Sequence, residues 1–117
     1  MIRGVVIRGE GRGRELGFPT ANLDCKRSSV QLEPGIYAAW AHFEGKKYMS
    51  GLVIMTAPWK VEAHMIGYIG DDIYGKYLEV DPIQRVSSLR HYGYDDWLRK
   101  KIREDLQLVR DVLEGNG

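Results

Sequence analysis

Two short runs in this chain carry residue types whose spacing can do chemistry. The first is Gly9 to Asp24, GEGRGRELGFPTANLD, where Gly9, Gly11, Gly13 and Gly17 surround Arg12, Arg14 and Glu15. Glycines without a Cβ let backbone N–H groups approach a ligand closely, and consecutive amides form anion-binding nests, so this half suits phosphate. Pro19 fixes its own φ and biases Phe18 to an extended backbone, which sets Thr20 and Asn22 on a stiff segment. If that segment is extended, Thr20 and Asn22 share one face and Ala21 takes the other. A hydroxyl and an amide oxygen then stand beside a phosphate cradle, and such oxygens suit Mg²⁺ held against a nucleotide. The same run also reads as a glycine-rich turn that leads into an ordinary strand.

The second run is Val61-Glu62-Ala63-His64. On a strand Glu62 and His64 point to one face while Val61 and Ala63 point to the other. Taken alone, Glu62 reads as a solvated strand carboxylate and His64 as a side chain that supports its strand by hydrogen bonding. His42 and His91 have no cluster partner, and three scattered histidines with one cysteine do not compose a transition-metal site.

The elements that must position these runs read mainly as strands. Ile2 to Arg8 is β-rich and feeds into the glycine run. Lys26 to Pro34 is polar and ends in the turn signal Pro34-Gly35. Gly35 to Phe43 follows as a strand with Tyr37 and Phe43 on one face and Ile36 and Trp40 on the other, as for a barrel stave lying under a helix. Glu44-Gly45 connects it tightly to Lys46 to Met55, its antiparallel partner. Thr56-Ala57-Pro58-Trp59 breaks that strand, and Val61 to Ile69 resumes extended structure. Gly70-Asp71-Asp72 turns the chain, and Lys76 to Val80 is expected to pair back. Strands joined by short turns in this rhythm point to an antiparallel barrel or sandwich.

The C-terminal third changes period. Leu98, Ile102, Leu106, Val109 and Leu113 recur at spacings of four and three, a single helical stripe. Asp95 or Asp96 can cap its start and Gly115 suits its end. Arg99, Lys100, Arg103, Glu104 and Asp111 form the water-facing side.

A chain of 117 residues is expected to form one domain over residues 1–117. Hydrophobic content of 44% and charged content of 28% place it with soluble globular proteins. A formal net charge of +1 gives no footprint for nucleic acid or an anionic membrane, so neither partner is expected. No apolar run approaches the roughly 18 residues of a membrane span, and the N-terminus lacks a signal-peptide core. Cys25 is alone, which excludes an internal disulfide and permits a reducing cytosol.

With these pieces in order, Gly13-x-x-x-Gly17-Phe18-Pro19-Thr20-Ala21-Asn22 resembles the signature loop of the riboflavin kinase family, in bacterial bifunctional FAD synthetases and in the free-standing eukaryotic enzyme. The likeness continues through the Pro34-Gly35-Ile36-Tyr37 strand, the Glu62-Ala63-His64 strand, the Asp72-Ile73-Tyr74-Gly75 hairpin and the C-terminal helix. The resemblance implies a mainly all-β fold, a closed antiparallel six-stranded Greek-key-like barrel with a C-terminal amphipathic helix. It implies an ATP-dependent, Mg²⁺-requiring enzyme that transfers the γ-phosphoryl group to the ribityl 5′-hydroxyl of riboflavin to give FMN. By the same resemblance Glu62 is the catalytic base, and Gly11, Gly13, Arg14, Gly17, Pro19, Thr20 and Asn22 bind nucleotide. Thr20 and Asn22 also hold the metal, and Arg90 contacts the flavin; Trp59, placed just before Glu62, is the aromatic residue expected to stack on it. Trp40 and Trp97 are read as core aromatics.

Two stretches depart from the family pattern. Its N-I-G-x-x-P or S-I-G-x-N-P segment is here Val53-Ile54-Met55-Thr56-Ala57-Pro58, with Val53 for the polar residue, Met55 for the glycine, and a shorter link to Glu62. Its L-R-x-E-x-x-F segment is here Leu89-Arg90-His91-Tyr92-Gly93-Tyr94, without the glutamate. A free-standing, monomeric, cytoplasmic kinase is expected. The alternatives are a non-catalytic flavin- or nucleotide-binding module of the same fold and a kinase of a different small alcohol.

Overall fold

The computed structural model describes residues 1–8, 21–70, 72–88 and 95–115, with side chains in all of these except 95–102. Six strands run in the order β1 (Ile2–Ile7), β2 (Ala21–Asp24), β3 (Gly35–Phe43), β4 (Lys46–Thr56), β5 (Trp59–Met65) and β6 (Tyr77–Ser87). A helix, α1 (Asp95–Gly115), follows them, and a single 3-10 turn occupies Arg27–Ser29. Around the sheet the strands lie in the order β1-β2-β5-β4-β3-β6 and close into a barrel. Every pairing is antiparallel. Because β2 pairs with β5, and β6 with β3 and β1, two connections cross between non-neighbouring strands in the Greek-key manner.

Period-two alternation builds the interior. Val6, Leu23, Tyr37, Ala39, Ala41, Phe43, Leu52, Ile54, Val61, Ala63, Leu78 and Val80 point inward into one apolar cluster. The β3–β4 hairpin turns at Glu44 (φ 48) and Gly45 (φ 79), the paired positive φ values of a type I′ turn.

Leu106, Val109 and Leu113 of the predicted helical stripe pack on the outside of the wall, while the Leu98 and Ile102 side chains lie outside the described residues. Val109 and Leu113 are fully buried against Ala38, and Trp40, Met49, Ile66, Val86 and Val112 complete this second cluster. The floor under the helix is made of small residues, since Ala38 pairs with Gly51 across β3 and β4. A Cβ at Gly51 would lie 3.1 Å from Leu106 Cδ2, so α1 approaches the sheet closely there. Arg103, Glu104 and Asp111 face water as expected, whereas Asp105 on the same helix is buried. No described helix is long and apolar enough to cross a membrane.

Several expectations need correction: Thr56 and Trp59 belong to β4 and β5 and pair with each other, so only Ala57-Pro58 breaks the strand, and the strand expected over Lys76 to Val80 runs from Tyr77 to Ser87. The strand predicted over Val61 to Ile69 starts at Trp59 and stops at Met65. Gly67 (φ 82) and the Tyr68 N–H to Met65 carbonyl bond turn the chain there, leaving Ile69 95% exposed. The following strand does not pair back on it. Both edges of β5 are already taken by β2 and β4, so β6 closes the barrel between β3 and β1.

Candidate active site

The outward face of β5 is Lys60, Glu62 and His64, because Val61, Ala63 and Met65 are committed to the core. On β2 the same logic turns Ala21 and Leu23 inward and Asn22 outward. The register then sets Asn22 directly opposite Glu62. Directly opposed residues on one face have Cβ atoms about 4.5–5.5 Å apart, so the amide expected at the metal and the carboxylate expected as base are immediate neighbours. The row continues to Ile7 of β1, opposite Asn22, and to Val53 of β4, opposite Glu62. Asn22 is only 8% exposed, which gives its amide a fixed setting. The amide and carboxylate oxygens are hard donors, a chemistry that fits Mg²⁺.

The two barrel rims differ in what reaches this row. At one rim β1 ends at Ile7 and β2 begins at Ala21, with Ile7 and Asn22 in register. The described strands that flank the glycine run therefore end and begin beside Glu62. Gly11, Gly13, Arg14, Gly17, Pro19 and Thr20 themselves lie outside the described residues. The Asp72-Ile73-Tyr74-Gly75 motif braces this rim. Gly75 N–H donates to the Val6 carbonyl and Val6 N–H to the Lys76 carbonyl, both at 2.8 Å, and Ile73 is buried in the core. The Arg8 guanidinium sits 5.0 Å from the Tyr74 ring centroid, where β1 gives way to the glycine run.

The opposite rim holds the start of β5. Trp59 is half-buried against the barrel core, and its indole Nε1–H donates to the Cys25 carbonyl at 2.8 Å. Alternation puts Trp59 on the inward side of β5 and Glu62 on the outward side. The structure thus brings Asn22 and Glu62 together and sets Trp59 apart from them, at the barrel mouth. Arg90 lies outside the described residues, but β6 ends at Ser87 on this same rim. Beside Trp59, burial first and the Asp24 carboxylate second push the Cys25 thiol above its ordinary pKa.

One neighbour of Glu62 was not singled out from the sequence. Lys60 Nζ lies 2.6 Å from Glu62 Oε1. The signal was present in the spacing, since residues two apart on a strand share a face.

Residues 1–113 match the family model described as Flavokinase, riboflavin kinase. The bifunctional riboflavin kinase/FMN adenylyltransferase of Bacillus subtilis is 29% identical over 115 residues, covering 91% of this chain and 36% of that protein. The RNA-binding riboflavin kinase RibR of Bacillus subtilis is 30% identical over 120 residues, covering 97% of this chain and 51% of that protein. The chain thus spans about a third to a half of these curated relatives. A riboflavin kinase from Trypanosoma brucei shares the fold, with a TM-score of 0.74 at 23% identity over 96% of this chain and 75% of its own. A Streptococcus pneumoniae structure titled macrolide-efflux protein superposes with a TM-score of 0.82 at 25% identity, covering 92% of this chain and 37% of that one.

Proposed function

This chain belongs to the riboflavin kinase family, and from that premise we propose that it transfers the γ-phosphoryl group of Mg-ATP to the ribityl 5′-hydroxyl of riboflavin. The observation that carries the reading is the Asn22–Glu62 pair on the outer wall, between the rim that anchors the glycine run and the rim that carries Trp59. Nucleotide approaching from the first rim and flavin from the second would meet at that pair.

Phosphoryl transfer needs alignment and charge neutralisation more than covalent chemistry from the protein. The 5′-oxygen forms a bond to the γ-phosphorus as the bond to the β–γ bridging oxygen breaks, and ADP leaves. The hydroxyl proton passes to the Glu62 carboxylate, which first orients that hydroxyl toward phosphorus. The amides of the glycine run, with Gly11, Gly13, Arg14, Gly17 and Pro19, hold the phosphates. Thr20 and Asn22 would hold Mg²⁺, which when bound neutralises phosphate charge. Trp59 and Arg90 are the flavin-side residues. Trp59 contributes from the barrel mouth, with its indole N–H already given to Cys25.

We read the chain as acting as a monomer in the cytoplasm without a nucleic-acid partner. A net charge of +1 supports the absence of a nucleic-acid partner, and a lone cysteine fits a reducing compartment. Incubation of the full chain with riboflavin, ATP and Mg²⁺, followed by chromatographic separation of FMN, tests the proposal. Formation of FMN and ADP in equal amounts is expected. Tight flavin binding without turnover would favour a binding module, and turnover of another alcohol alone would name a different kinase.

A further inference from the structure

The surroundings of Glu62 are asymmetric. On the β2 side it meets the Asn22 amide. On the β4 side it meets Val53, and Lys60 meets Met55, both half-buried and neither able to donate a hydrogen bond. A carboxylate with an apolar flank has lost water on that side and needs a donor from elsewhere. Lys60 supplies it from the same strand, with Nζ 2.6 Å from Oε1 and side chains only 22% and 18% exposed. At that degree of burial the pair is less screened than a surface ion pair.

We propose that Lys60 is the positioning residue for Glu62. It engages Oε1 and fixes the carboxylate rotamer, which leaves Oε2 to meet the acceptor hydroxyl. Val53 and Met55 stand where the family pattern has a polar residue and a glycine, so support that a cross-strand neighbour could give is here supplied along β5. The ammonium does not touch the reacting atoms and acts through Glu62. The inference rests on the kinase reading above and refines its acceptor site.

The test is a double-mutant cycle on the full chain, with riboflavin and Mg-ATP as substrates. Lys60→Met keeps the apolar stem and removes the charge. It is expected to lower kcat by about 10²-fold, the scale of a small misplacement of a reacting group. The riboflavin KM should move less than about threefold, because the loss falls on alignment in the transition state. Lys60→Arg should recover most of the rate. In a Glu62→Gln background, Lys60→Met should cost nothing further, since both changes act on one carboxylate. An unchanged kcat in Lys60→Met overturns the proposal while leaving the kinase reading intact. So does an equal loss in the Glu62→Gln background. Absence of turnover in the unmodified chain overturns both. If circular dichroism shows that Lys60→Met has lost the barrel, Lys60→Gln takes its place in the same cycle with the same outcomes.

Discussion

Asn22 and Glu62 face each other across β2 and β5, one outward position from the point where β1 gives way to the glycine run. The pairing places an amide that is 8% exposed next to a carboxylate that is held from its other end by Lys60. On the proposed kinase reading, this arrangement gives the site a direction, with phosphate on the Ile7 side and acceptor on the Trp59 side.

Glu62→Gln keeps the size of the side chain and its hydrogen bonding but cannot take a proton. A positioned base contributes about 10²–10⁴-fold, so kcat should fall within that range. Dissociation constants for riboflavin and nucleotide, from fluorescence titration, should change little. A variant that keeps nearly full kcat would mean that the base is elsewhere or that positioning alone suffices.

Thr20→Ala should abolish measurable turnover and the response of nucleotide affinity to Mg²⁺. Calorimetric titration of ADP with and without Mg²⁺ reads this directly. Wild-type ADP binding that ignores Mg²⁺ would remove the basis for assigning Thr20 and Asn22 to the metal.

Trp59→Phe deletes the indole donor to the Cys25 carbonyl while keeping most of the aromatic bulk. The lost hydrogen bond should cost about 1 kcal/mol in urea unfolding. If the ring also contacts flavin, riboflavin affinity should fall with it. A change in stability with no change in flavin affinity would confine Trp59 to the barrel.

Leu113→Ala tests the seam between helix and barrel. Leu113 is fully buried beside Val109 and Ala38, so the truncation should cost about 2–5 kcal/mol. Thermal denaturation checks it. A loss below 1 kcal/mol, roughly the transfer value of a single methylene, would mean that α1 does not share the cooperative unit.

Cys25 should alkylate slowly. Burial and then Asp24 raise its thiol pKa, so the folded chain holds the proton to higher pH than the unfolded one. The associated stability is fully present below the unfolded thiol's pKa and is lost as pH rises through the folded value. Iodoacetamide modification near pH 8 should run slower than for a free thiol, and Asp24→Asn should speed it. Equal rates in the two forms would remove Asp24 as a cause.

What the sequence determined by itself is what short-range periodicity encodes. Alternation from Trp59 to Met65 forces Glu62 outward once Val61 and Ala63 are inward, and the same alternation in β2 turns Asn22 outward between Ala21 and Leu23. The stripe at Leu106, Val109 and Leu113 likewise fixes a helix with one buried face, because a helix repeats over only a few residues. Partner choice is another matter, since strands far apart in sequence pair through whichever edges remain open. The sequence rhythm suggested that β6 would return to β5. Closure instead placed β6 between β1 and β3, and β2 against β5. That closure, which no local pattern specifies, sets Asn22 opposite Glu62. The apolar flank of Glu62 and Lys60, by contrast, is local, because the β4–β5 hairpin alone lays Val53 and Met55 along them.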